Sequence, residues 1–214
     1  MDEEVTIIDN NTKIEKIKIF FINNKKKILI IASTTLILIV GYFSFDEIKN
    51  RNKIKLANQF NIAVTGYEND KNDKITKNLE NIINEKDATY SPLALYFLID
   101  NNLIEDQGKI NKFFDVLIND TNLDNEIKNL IIYKKALYNS DFIDENELIK
   151  MLNPLINSKS LWQSHGLYLI AEYFFSKNED KKAKEFFNKI VNLKNVNNDI
   201  KIKAQKRLNR DLSE

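Results

Sequence analysis

The run Ile28–Phe45, ILIIASTTLILIVGYFSF, follows directly on Lys25-Lys26-Lys27 and contains no charged residue. As an α-helix its 18 residues extend roughly 27 Å, close to the hydrocarbon thickness of a bilayer. Eleven of them are Leu, Ile, Val or Phe. At about 0.3–0.6 kcal/mol each, these favour membrane insertion by about 3–7 kcal/mol before the Ser and Thr residues are set against them. The expected layout is a short tail over residues 1–27, one transmembrane helix over 28–45, and a domain over 46–214 on a single side of the membrane.

Two other uses of such a run fit less well. A cleaved signal peptide has a shorter apolar region followed by a small-x-small site. Here the pairs at that place, Gly41/Phe43 and Tyr42/Ser44, each contain an aromatic, and the leader carries Asp2, Glu3, Glu4, Asp9 and Glu15. A core helix of a soluble protein seldom has a lysine triplet at one end and aromatics at both. Phe20 and Phe21 on one side, with Tyr42, Phe43 and Phe45 on the other, read as interface belts.

Lys and Arg bias sets orientation. Residues 13–27 hold six lysines, whereas residues 46–60 hold four basic residues and open with Asp46-Glu47. The expectation is a cytoplasmic N-terminus and a translocated domain, which in a bacterium means the inner membrane and the periplasm.

The domain has enough residues for one compact unit or a small repeat array. Four Gly and two Pro in 214 residues are too few for the turns of an all-β fold, so the fold class expected is all-α. A net charge of +1 leaves no electrostatic footprint for nucleic acid. The absence of Cys excludes disulfides, thiolate ligands and a cysteine nucleophile.

Four blocks of the domain look alike: NLENII at 78–83, FFDVLI at 113–118, MLNPLI at 151–156 and FFNKIV at 186–191, at spacings of 35, 38 and 35. Their second places are Leu79, Phe114, Leu152 and Phe187. Sixteen residues earlier stand Ala63, Leu98, Ala136 and Ala171, and four residues earlier Ile75, Ile110, Leu148 and Ala183. Helical periodicity explains a stripe within one helix, but not a frame shared by four units. A period near 35 with two helices per unit is the tetratricopeptide pattern. The predicted domain is therefore an α-solenoid of about four degenerate tetratricopeptide-like hairpins.

The predicted helices run over about 46–66 and 73–85, 89–103 and 107–120, 124–138 and 145–157, and 161–177 and 180–194. A last amphipathic helix over about 198–212 is read as the polar cap a solenoid needs. The fourth unit fits the pattern best, with Ala171, Phe174, Ala183 and Phe187 in place and Asn178-Glu179 at the turn where Gly is usual. Gly66, Asn101 and Asn139 stand where units one to three should carry an aromatic. No Gly or Pro follows Gly41 before the first repeat helix, so that helix is expected to continue from the span.

No motif carries a specific catalytic signal. There is no phosphate loop, no G-x-S-x-G and no H-E-x-x-H. The lone His165 cannot build a histidine metal cluster, and no cofactor or metal is expected. Trp162 is read as a packing residue, and Asp144-Glu145-Asn146-Glu147 as a helix start that complements the helix dipole. Ser33, Thr34 and Thr35 in the span either bond their own backbone or reach a partner helix. The expected role is non-catalytic protein binding on the concave face of the array. Positions three before and one after the small residue should lean toward that face: Leu95 and Ile99, Tyr133 and Leu137, Tyr168 and Glu172.

The acidic N-terminus, basic juxtamembrane stretch, single span and four degenerate repeats together resemble the ancillary SecYEG translocon subunit family. The segment SLWQSHGLYLIAEYFFSKNEDKKAKEFFNKIV, residues 160–191, is the most specific part, similar to that family's Trp-containing start of the last repeat and Ala-rich hairpin. The chain departs from the family in being rich in Lys and Asn and poor in Ala and Gly. The resemblance implies partnership with Sec translocon subunits, periplasmic chaperones and translocating polypeptides, and supports the cytoplasmic N-terminus. A periplasmic scaffold coordinating envelope synthesis or division would use the same anchor and groove.

Overall fold

The structure, a computed structural model, describes residues 2–69, 73–194 and 196–213, and among them it is all-α. The chain divides into two units, Met1–Lys55 and Leu56–Glu214. The helices are α1 (Asp2–Asn69), α2 (Asp73–Asn84), α3 (Tyr90–Asp100), α4 (Gln107–Asp115), α5 (Asn125–Asn139), α6 (Glu145–Ile156), α7 (Gln163–Ser176), α8 (Asp180–Val191) and α9 (Asn198–Arg210).

In the first unit, α1 is the one described helix long and apolar enough to cross a membrane. None of its most apolar window is buried. Leu29, Ile30, Ile31, Leu36, Ile37 and Leu38 all stand exposed around the helix. The hydroxyls of Ser33, Thr34 and Thr35 donate to the carbonyls of Leu29, Ile30 and Ile31 at 2.8, 2.9 and 2.9 Å. Each of the three hydroxyls is thereby satisfied within its own helix.

In the second unit the repeat frame is structural. Ala63, Leu98, Ala136 and Ala171 are buried, as are Leu79, Phe114, Leu152 and Phe187. Of the third set, Ile110, Leu148 and Ala183 are buried and Ile75 is half-buried. Successive helices pack against each other from α2 to α9, and α5 also meets α7, as α7 meets α9. That is the contact order of stacked hairpins with a terminal helix. The apolar core forms two clusters, with Ile131 of α5 in the first and Ile132 in the second. Residues 56–67 of α1 supply the first helix of the array: Leu56 and Ala63 are buried, and the Phe60 and Tyr67 rings meet Phe97 at 6.5 and 5.3 Å. Packing thus begins at Leu56, ten residues beyond the boundary expected from the end of the apolar run.

Helix ends follow local chemistry. Asp106, Asp124, Asp144 and Asn197 accept from backbone N–H groups of the first turns of α4, α5, α6 and α9. Three turns use a left-handed residue, Lys86, Asn102 and Asn178, at φ 55, 50 and 58°. At the end of α7, Glu179 N donates to Phe174 O and Asn178 N to Phe175 O, a Schellman closure in which Asn takes the place glycine usually fills. The predicted helix over 107–120 differs in one respect: its last turn, Val116–Asp120, winds as a π-helix.

Candidate groove on the first-helix face

Repeat geometry brings α3 and α5 beside the end of α4, and between them lies a groove of about 250 Å³. Ile99 and Leu137 line it with Tyr96, Phe114, Lys134 and Tyr138. Leu137 is 44 % exposed, a large apolar side chain held at the surface of a helix whose other face is core. Lys134 sets its ammonium 5.6 Å from the centre of the Tyr96 ring, a cation–π arrangement, and Asp100 stands at the rim. The Tyr96 hydroxyl is buried without a protein hydrogen-bond partner, and burial pushes its pKa up to about 12. The groove is therefore apolar at its floor, with one cation and one anion at its edge.

Sequence reasoning missed Tyr96 and Lys134. Each stands three residues before a predicted groove residue, one helical turn along the same face, and that spacing was the available signal.

The other four predicted residues lie elsewhere. Leu95 is fully buried in the first core cluster, because α3 is packed by its neighbouring helices, and it offers no groove surface. Tyr133 stacks on Trp162, with ring centres 5.9 Å apart, and meets His165 edge-on at 5.8 Å. Burial raises its phenol pKa. Tyr168 packs on Phe187 at 5.6 Å, and burial, reinforced by Glu172, raises its pKa to about 12. Glu172 accepts from Arg207 Nε at 2.8 Å and from its Nη2 at 2.7 Å. The capping helix α9 thus engages the face of the fourth hairpin that the repeat frame assigned to partners.

Trp162, His165 and Tyr133 form a packed aromatic cluster rather than an open platform, with the Trp162 and His165 rings 4.9 Å apart. Burial holds the His165 imidazole below its ordinary value; the Leu161 carbonyl opposes this and the Lys203 charge adds to it. Among the described residues no three His, Asp or Glu converge as metal ligands would. A wider trough of about 640 Å³ between α6, α7 and α8 is lined by mixed polar and apolar residues, Gln163, Glu185, Phe186 and Lys189 among them. No protein family, curated protein or solved structure matches this chain.

Proposed function

We propose that this chain is a membrane-anchored, non-catalytic protein-binding module. Its α1 segment spans the bilayer once, and its hairpin array presents the α3–α5 groove to a polypeptide. The observation that carries this reading is the groove: half-buried Ile99 and exposed Leu137, from first helices of adjacent hairpins, share one apolar channel rimmed by Lys134 and Asp100. Such a channel suits an apolar side chain of a bound segment, with the rim charges setting its register.

The lysine excess before the span supports a cytoplasmic N-terminus and a domain on the far side, the periplasm of a bacterium. The layout likeness to ancillary Sec translocon subunits supports a partner set of channel subunits, chaperones and emerging chains. The test is photo-crosslinking in membranes, with the probe placed at Leu137 or Ile99 and adducts identified by mass spectrometry. Adducts with Sec subunits, exported chains or chaperones are expected. Adducts made up of wall-synthesis or division proteins would move the module to an envelope scaffold. No protein adduct at either position would sink the binding reading. A periplasm-dependent reporter fused after Glu214 is expected to be active, and an inactive one reverses the topology.

A further inference from the structure

One face of α1 sets a lysine at the end of a shallow apolar depression. A shallow channel of about 440 Å³ runs along the helix from Phe21 and Lys25, past Ile28 and Ala32, to Leu36. From Lys25 to Leu36 the helix rises roughly 16 Å, close to half the roughly 30 Å hydrocarbon core, which is one leaflet. The channel is apolar below Lys25, because the one hydroxyl along it, Ser33 Oγ, is already bonded to Leu29 O.

Its upper end is strongly cationic. Lys16, Lys18, Lys25, Lys26 and Lys27 are exposed, and none has an ion pair among the described residues. Beyond the other end of the run Glu47 pairs with Arg51 at 2.6 Å, and the exposed Lys49, Lys53 and Lys55 are spread along the helix rather than set side by side. Free cations at headgroup height and a leaflet-length apolar channel directly beneath are complementary to one class of molecule.

We infer that this face binds an anionic phospholipid, its phosphate held by Lys25 at the mouth of the channel, with Lys26 and Lys27 adding charge at headgroup height, and one acyl chain lying along Ile28, Ala32 and Leu36. The inference rests on the reading of α1 as a membrane span. Juxtamembrane lysines act at about 1 kcal/mol each on anionic lipid, a factor of roughly five, so three together are worth on the order of 100-fold.

The test uses the full chain in nanodiscs holding equal phosphatidylglycerol and phosphatidylcholine of matched acyl chains, with retained lipid counted by native mass spectrometry. Selective retention of phosphatidylglycerol is expected. It should fall on the order of 100-fold in a K25Q/K26Q/K27Q variant. An Ala32→Trp variant, which fills the channel and leaves every charge in place, should lose retention too. Equal retention of both lipids, or retention unchanged in either variant, overturns the inference and leaves the anchor standing. A protein dimer carrying no lipid would show that a second copy covers this face, and also overturns it. A chain that fails to float with any vesicle overturns the anchor and the inference together.

Discussion

Asn111 and Asn139 exchange two side-chain hydrogen bonds, each amide nitrogen donating to the other's oxygen at 2.8 Å. Asn139 also donates to Lys135 O at 2.7 Å and accepts from Gln107 Nε2 at 3.2 Å, so both its donors and both its acceptor sites are used. It is buried, and it occupies the position where the repeat pattern wants an aromatic. The third hairpin thus meets the second through an amide network instead of a ring. Asn139→Ala leaves the Asn111 and Gln107 amides without this partner and is expected to destabilise by about 1–3 kcal/mol. The check is urea unfolding of the full chain in detergent, followed by Trp162 fluorescence. In a double-mutant cycle with Asn111→Ala, a coupling of about 1 kcal/mol or more is expected, and additive losses would refute the network.

Ser91 performs a related task between α2 and α3. The Asp87 N–H donates to Ser91 Oγ at 2.9 Å, and that hydroxyl donates to Ile82 O at 2.7 Å. In a Schellman closure the N–H would reach that carbonyl directly, and here a buried hydroxyl is interposed. Ser91→Ala is expected to cost about 1–2 kcal/mol, with faster amide exchange at Asp87. Unchanged exchange there would mean that the direct bond forms in its place.

Such contacts mark the limit of what the sequence could tell. The helices and the core were legible because burial imposes a period: Leu79, Phe114, Leu152 and Phe187 are buried for the same geometric reason. That Ile99 and Leu137 line one depression agrees with the face the repeat frame assigned them, whereas Leu95 was not separable from them. Which side of a first helix is covered depends on how its neighbours close over it, and that is set by tertiary packing. The engagement of Glu172 by Arg207 was equally hidden: the 35 positions between them equal one repeat period, but the frame places helices and does not say which charged side chains pair.

That engagement makes its own prediction. Arg207 binds Glu172 through two nitrogens, reaches Asp211 at 2.9 Å, and lies 4.5 Å over the Phe175 ring. Its guanidinium pKa is raised, first by the hydrogen bonds to Glu172 and then by Asp211. Arg207→Ala is expected to cost about 1 kcal/mol and to act locally. Hydrogen exchange over 198–210 should accelerate while α2 to α4 stay protected. Uniform loss of protection would refute a local clamp.

Acid sensitivity should trace partly to His165. Its folded pKa lies below the ordinary 6.5, chiefly through burial. Above the unfolded value both states are neutral, and the residue adds no pH dependence. As pH falls below about 6.5, the unfolded chain takes the proton first, so stability declines until the folded value is passed. The urea midpoint is expected to fall between about pH 7 and pH 5 in the native sequence, and by less in a His165→Gln variant. Equal slopes would show that His165 contributes nothing.

The groove can be separated from the fold by one exposed side chain. Leu137 is 44 % exposed and in the last turn of α5, so Leu137→Asp should cost about 1 kcal/mol, too little to unfold the domain. In the groove the same change removes an apolar contact and sets a carboxylate on the rim that already carries Asp100. An apolar side chain taken fully out of water is worth about 1.5–3 kcal/mol, so capture at a probe on Ile99 is expected to drop about ten-fold or more. Leu161 is more exposed still, at 76 %, and lies outside the groove, so Leu161→Asp should leave that capture intact. Equal losses from the two substitutions would indicate a general need for surface apolarity. Loss confined to Leu137→Asp, with cooperative unfolding retained, would place the partner in the channel between α3 and α5.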